Sequence, residues 1–125
     1  MRITTWNCNR AFRKKFHFLA DLGSDLAIVQ ECESPVKAGG KYGEWAENHI
    51  WSGRNMNSGL GIFASKEVGL RKLDWPDGAL ELFIPCVVNE SFILVAVWTK
   101  QSKTTSYSYI GQLWKYIQQH KQALW

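Results

Sequence analysis

The start of the chain carries the pattern that most constrains the fold: a strand, a helix and a second strand in succession. Ile3 to Trp6 are the β-branched and aromatic residues typical of a half-buried strand. From Arg10 to Leu22 apolar residues recur at helical spacing, and Gly23 follows as a natural stop. The compact run DLAIVQE predicts a buried strand. Because such a unit is usually parallel, the two strand ends, at Asn7 and Glu31, should meet at one edge of a sheet.

The rest of the chain predicts further strands and one more helix. Residues 34–43, rich in glycine and charge, predict a surface loop. Asn89 and Glu90 predict a tight hairpin turn, and a second amphipathic helix should begin near Ser106 or Ser108. The predicted strands are His49–Ser52, Gly59–Ala64, Gly69–Leu73, Leu80–Val88 and Ser91–Thr99.

Length and composition limit the classes of protein to consider. With 125 residues, 46% of them hydrophobic, residues 1–125 should form a single domain. No apolar run approaches the roughly 20 residues that cross a bilayer. The start MRITTW lacks an apolar export signal. We therefore expect no membrane span and a cytoplasmic protein. Three cysteines without CxxC spacing indicate neither a disulfide framework nor a zinc site.

Positive charge indicates an acidic partner. The net charge is +4, and basic residues crowd the start of the first predicted helix, where cations are locally unfavourable. This cluster either binds phosphate or forms a solvated helix face. Asn9 is expected to cap the helix, and Trp45 and Trp51 either pack in the core or stack on bases. The basic cluster consists of Arg10, Arg13, Lys14 and Lys15.

Glu31 is the residue that most directly indicates chemistry. A carboxylate that ends an apolar strand needs a partner if it is buried, and a divalent cation would serve. Mg²⁺ prefers hard oxygen ligands. Asn7, delivered to the same edge, could supply a neutral oxygen to the metal or position the carboxylate. The alternative is that Glu31 is a solvent-exposed strand end without a metal.

Four stretches of the chain, TWNCN, LAIVQECE, NSGLGIFAS and YIGQLWKYI, resemble the endonuclease/exonuclease/phosphatase superfamily, metal-dependent phosphoesterases with the deoxyribonuclease I fold. Members open with a strand ending in Asn, here Asn7, and their second strand ends in Gln-Glu, here Gln30 and Glu31. The resemblance implies that Asn7 and Glu31 lie at a catalytic Mg²⁺ or Mn²⁺ and phosphate site. It also implies that Tyr109 contacts phosphate at that site.

The resemblance extends over nearly the whole chain but over only about the first half of the family. The later Gly-Asp-x-Asn and Ser-Asp-His motifs do not occur, and the three histidines match none of their positions. The resemblance thus implies the N-terminal half of a metal-dependent phosphodiester hydrolase, which we expect to be inactive or nearly so alone. Members cleave DNA, RNA, inositol phosphates or sphingolipids, and the charge favours nucleic acid. The alternative is a non-catalytic module of the same fold that binds nucleic acid or phosphate.

The resemblance also implies an α+β fold, half of a four-layer αββα sandwich. One mixed β-sheet of six or seven strands would carry two helices on one face. The strand FILVAVW is apolar on both sides, so the second sheet face would need cover as well. We therefore expect a homodimer, with the exposed sheet face of one copy packed against that of the other.

Overall fold

The computed structural model describes residues 1–76, 82–99 and 109–124, with the side chain of Tyr109 outside the description. The described residues form two β-sheets and several helices, which confirms the expected α+β class. The first sheet has the strand order β1-β2-β4-β3, with β1 (Ile3–Asn7), β2 (Leu26–Cys32), β3 (His49–Asn55) and β4 (Ser58–Ala64). The second has the order β5-β6-β7, with β5 (Leu70–Lys72), β6 (Phe83–Val88) and β7 (Phe92–Val97). The helices are α1 (His17–Asp21), α2 (Pro35–Ala38), α3 (Gly40–Trp45) and α4 (Tyr109–Leu124), with a 3₁₀ turn at Phe12–Lys14.

The opening strand, helix and strand are present, although the helix is shorter than predicted. β1 and β2 are parallel, with Asn7 opposite Gln30. The predicted helix from Arg10 to Leu22 is reduced to the 3₁₀ turn and α1. The prediction that Asn9 caps it is wrong, because residues 9–11 adopt left-handed backbone angles and Ala11 precedes the turn without a side-chain cap. Gly23 ends α1 with φ of 63°, as expected.

The two sheets pack face to face. Side chains alternate along each strand, so one face of β2 presents Leu26 and Ile28 to the second sheet. These residues share a buried cluster with Ile84, Cys86 and Val88 of β6. This cluster forms the interior between the sheets.

Helices cover the outer faces of both sheets. Ala27 and Val29, on the opposite face of β2, pack with Phe12, Leu19 and the aromatic residues of α3. On the other side of the molecule, Phe83 of β6 stacks on Tyr116 of α4, with ring centroids 4.1 Å apart. The described residues of this chain thus build all four layers of an αββα arrangement.

Two sheets replace the single sheet of six or seven strands with two helices on one face, so that expectation is wrong. From Leu94 onward the strand FILVAVW is covered on both sides, but by this chain: Leu94 and Ala96 pack toward the first sheet, while Val95 and Val97 pack toward α4. Its first two residues, Phe92 and Ile93, are exposed. The exposed sheet face through which a homodimer was expected is therefore covered within the chain. The physical argument for a dimer of that geometry no longer applies.

The predicted surface loop at residues 34–43 is also wrong, because it folds into α2 and α3. Ser34 caps α2, with its hydroxyl oxygen accepting a hydrogen bond from the Lys37 N–H at 3.4 Å, and Pro35 takes the first helical position. The hairpin turn at Asn89 and Glu90 is confirmed: both residues have positive φ, as a type I′ turn requires.

The remaining predictions fall partly on residues that the structure does not describe. The second helix is present as α4, but Ser106 and Ser108 lie outside the described residues, as does the start of the strand predicted from Leu80. Within the described ranges, none of the helices is both long and apolar enough to traverse a membrane.

Candidate functional site

Asn7 and Glu31 meet at the adjoining carboxyl ends of β1 and β2. The side-chain amide nitrogen of Asn7 donates to Oε1 of Glu31 at 3.3 Å. The backbone N–H of Asn9 donates to Oδ1 of Asn7 at 3.1 Å. Because a backbone N–H can only donate, this contact fixes the amide oxygen on the loop side and leaves the amide nitrogen facing the carboxylate. Asn7 therefore orients Glu31.

Glu31 occupies a strained position. The register between β2 and β4 shifts between Gln30 and Cys32, and Glu31 in this bulge has φ of 65°. Left-handed backbone is unfavourable for glutamate, whereas bulges re-aim a side chain at the edge of a sheet. Cys8 secures the bulge, since its N–H donates to the Gln30 carbonyl at 3.1 Å and its thiol lies 3.4 Å from the Glu31 carbonyl. Strain retained in this way is characteristic of functional positions.

The loop that follows Asn7 is a left-handed turn held by a lysine. Asn9, Arg10 and Ala11 have φ of 55°, 67° and 52°. The ammonium group of Lys15 donates to the Cys8 carbonyl at 2.6 Å and to the Arg10 carbonyl at 2.9 Å. Two carbonyls are thus drawn toward Lys15, while the side chain of Arg10 remains exposed. The loop thus carries one exposed cationic side chain, that of Arg10, and the charge of Lys15 lies against the Cys8 carbonyl, next to Asn7 in the chain.

Glu33, which the sequence analysis did not single out, anchors Arg13. Glu33 is 5% exposed, and its carboxylate lies 2.7 Å from Nη1 of Arg13, whose backbone N–H also donates to both carboxylate oxygens. Burial opposes ionisation of Glu33, but the hydrogen bonds from Arg13 outweigh it and lower the pKa of the carboxyl group. The guanidinium of Arg13, expected to be available to substrate phosphate, is therefore ion-paired within the protein.

A basic cleft of about 540 Å³ adjoins this ion pair. Its lining carries three cationic side chains, those of Arg10, Arg13 and Lys37, and one carboxylate, that of Glu33. Lys14 is exposed but does not line the cleft. Because Arg13 and Glu33 neutralise each other, Arg10 and Lys37 supply the net positive charge of the cleft.

The Asn7–Glu31 pair stands at an open side of the sandwich. In the described part of the chain, β1 and β7 each pair with one neighbour only. The side-chain amide of Gln30 in β2 donates to the carbonyl of Val97 in β7 at 3.2 Å, so the end of β7 lies opposite β2. Three residues of the next strand, Ile3, Thr5 and Asn7, lie on the same inner face of the first sheet and are exposed.

Other candidate residues lie away from this pair or outside the description. Tyr109 is the first residue of α4, but its side chain is among the undescribed ones. Trp51 donates to the Cys32 carbonyl and Trp45 packs beside Phe63, so both serve the core. His49 stacks on Phe63, and His120 packs against Trp75. No group of three or more His, Cys, Asp and Glu suited to a metal occurs within residues 1–76, 82–99 and 109–124.

The comparisons with known proteins bear on the fold. No family model matches the chain, and no curated protein matches it significantly. Among solved structures, it is similar to a 3′-5′ exonuclease (NExo) from Neisseria meningitidis, with a TM-score of 0.61 and 19% identity over 99% of this chain and 54% of that one. The chain thus shares the fold of this nuclease and spans about half of its length.

Proposed function

We propose that the chain supplies the metal-binding part of a phosphodiesterase active site of the nuclease type. The observation that carries the proposal is the Glu31 carboxylate, set in a strained bulge at the end of β2 and held there by the amide of Asn7. A strand can end without a strained glutamate and without a side-chain hydrogen bond that holds it, so this arrangement favours a functional role for Glu31. The likeness of the fold to that of a 3′-5′ exonuclease supports the same conclusion.

The donor set fits Mg²⁺ or Mn²⁺. Carboxylate oxygen is the ligand these hard cations prefer, and each usually binds through one or two carboxylates, with waters and substrate phosphate completing the shell. Glu31 would be the ligand. Asn7 would act as a positioning residue, because its amide oxygen already accepts from the Asn9 N–H. When bound, the metal would neutralise negative charge on the phosphate oxygens.

Nucleic acid is the substrate that the surroundings favour. Arg10 and Lys37 give the cleft beside the Arg13–Glu33 ion pair a net positive charge, as a polyanionic backbone requires. The net charge of +4 acts in the same direction. Lys15, which is bound to loop carbonyls, would add to the potential without touching the substrate.

The chain alone is proposed to be inactive or nearly so. Phosphodiester hydrolysis needs a metal, a base or oriented water, and donors to the non-bridging oxygens. The described residues bring only Asn7 and Glu31 together at the strand ends, and Glu33 is committed to Arg13. The open side at β1 and β7 lies beside Asn7, so further groups supplied by additional polypeptide would enter there.

Hydrolysis of labelled single-stranded DNA, labelled RNA and a simple bis-phosphodiester in Mg²⁺ tests the proposal. We expect a rate near the detection limit that disappears with EDTA and in Glu31→Gln, but not in Glu90→Gln, an exposed glutamate elsewhere. A rate that survives Glu31→Gln would remove Glu31 from the mechanism. Robust hydrolysis that depends on Glu31 would instead contradict the proposed incompleteness of the site.

The alternative function is a non-catalytic module that binds nucleic acid or phosphate through the same basic cleft. The cationic side chains of Arg10 and Lys37 favour binding whether or not hydrolysis follows. Oligonucleotide binding that is unaffected by Mg²⁺, with no turnover after Mg²⁺ or Mn²⁺ is added, would favour this alternative.

We propose instead that a homodimer forms through another surface, because the sheet face through which it was expected is covered within the chain. Its contact surface would be the open side formed by β1 and β7, where Ile3, Phe92 and Ile93 are each at least 40% exposed. Light scattering at micromolar concentration would show twice the mass of one chain. A stable monomer under those conditions would contradict self-association through these edges.

A further inference from the structure

A second groove lies at the opposite end of the first sheet from Glu31. It has a volume of about 440 Å³ and opens between the end of α1, the end of α3 and the turn after β4. Asp25, which lines it, immediately precedes β2, whereas Glu31 is near the other end of that strand. Since a strand rises about 3.3 Å per residue, the groove is roughly 20 Å from Glu31.

The inner part of this groove is apolar and fixed in shape. Leu19, Ala27, Trp45 and Phe63 line it, and the rings of Trp45 and Phe63 lie 5.4 Å apart. Trp45 is half-buried and so keeps part of its surface accessible. Asn48 holds one wall, donating to the carbonyls of Ser65 at 2.9 Å and Val68 at 2.7 Å. The groove therefore exists without rearrangement of the backbone.

The rim of the groove is acidic, in a chain whose net charge is positive. Four of the eleven acidic residues of the chain line it, together with one basic residue, Lys66. Three of the four are exposed and hence available to a partner. A nucleic-acid backbone would be repelled here, whereas a cation would be attracted. The four acidic residues are Asp25, Glu44, Glu47 and Glu67.

We propose that this acidic groove docks a basic peptide segment of a protein partner. A lysine or arginine would lie against the accessible part of the Trp45 indole with Glu44 and Glu47 beside it, and a neighbouring apolar side chain would lie over the apolar lining of the groove. An aromatic face and carboxylates together favour a cation that carries an apolar stem. The proposal does not rest on the phosphodiesterase function, because it concerns the opposite end of the sheet.

Fluorescence anisotropy with a labelled peptide of alternating arginine and leucine tests the proposal on the full chain. We expect saturable binding that weakens at least tenfold in the double variant Glu44→Gln/Glu47→Gln. Asp74→Asn/Glu90→Gln, which removes two carboxylates elsewhere, should bind as the unmodified chain does. Peptides with leucine replaced by serine, or arginine by glutamate, should bind at least tenfold more weakly.

NMR spectra of the same titration locate the contact. The indole N–H resonance of Trp45 should shift while the backbone resonances of Asn7 and Glu31 stay in place. Equal affinity of the two double variants, absence of saturable binding, or shifts confined to the Asn7 end would each overturn the proposal. So would self-association of the chain that shifts the Trp45 indole resonance in the absence of peptide.

Discussion

Asn7 and Glu31 are separated by 24 residues in the sequence, yet the amide of one donates to the carboxylate of the other at 3.3 Å. Parallel pairing of β1 and β2 brings their ends together, and the bulge at Glu31 turns the carboxylate toward the amide. Strand pairing thus brings the two residues together, and local strain in β2 sets the geometry of the pair.

Substitutions at Glu31 should reveal the strain in this bulge. Glycine tolerates φ of 65° whereas a β-branched residue does not, so Glu31→Gly should be more stable than Glu31→Val by about 1–3 kcal/mol. Urea denaturation of both variants measures the difference. Equal free energies of unfolding would show that residue 31 is not held in left-handed backbone.

Arg13→Ala should destabilise the protein through the buried carboxylate that it leaves behind. Glu33 is nearly inaccessible to water and would keep only its hydrogen bonds from backbone N–H groups, so we expect a loss of about 1–3 kcal/mol. Arg71→Ala is the matched control, since it breaks an ion pair with Glu90 that is exposed on both sides. A loss no larger than that of the control would contradict a structural role for the Arg13–Glu33 pair.

The lowered pKa of Glu33 predicts a specific pH dependence. The folded-state pKa lies below the ordinary 4.5, so the carboxylate contributes stability above that value and loses it as pH falls through the folded-state pKa. In Glu33→Gln the free energy of unfolding should therefore fall less steeply below about pH 4.5 than in the unmodified chain. Parallel pH profiles for the two proteins would exclude this contribution.

The three cysteines should resist alkylation in the folded protein. Each is at most 2% exposed, and burial raises the pKa of every thiol, that of Cys86 to about 11. At pH 8 about one Cys86 in a thousand would be ionised. Maleimide labelling should therefore modify none of the thiols in buffer and all of them in urea. Rapid labelling of the native chain would show that one of these side chains is accessible.

The sequence predicted the proximity of Asn7 and Glu31 more accurately than the arrangement of the sheets. Asn7 and Glu31 could be predicted because parallel pairing follows from the strand, helix and strand pattern. Glu33 was missed because a carboxylate beside a strand end looks solvent-exposed until the position of Arg13 is known. Ser34 and Pro35 did carry a helix-start signal, but the nearby glycines concealed it.

The division into two sheets could not be predicted because it depends on contacts between residues far apart in the sequence. An apolar strand such as FILVAVW needs cover on both sides, but its sequence does not say what supplies that cover. The structure shows that the first sheet covers one side, through Leu94 and Ala96, and α4 the other, through Val95 and Val97. We expected a second copy of the chain because the sequence alone does not show which elements cover this strand.

Direct Mn²⁺ binding is the sharpest test of Glu31 as a metal ligand. In a ¹⁵N-labelled chain, substoichiometric Mn²⁺ should broaden the backbone resonances of residues 7–9 and 30–32 first. The broadening should be lost in Glu31→Gln and kept in Glu90→Gln, whereas Asn7→Ala should weaken Mn²⁺ binding by about tenfold, as loss of a group that orients a ligand does. Unchanged broadening in Glu31→Gln, or broadening centred elsewhere in the chain, would contradict the account.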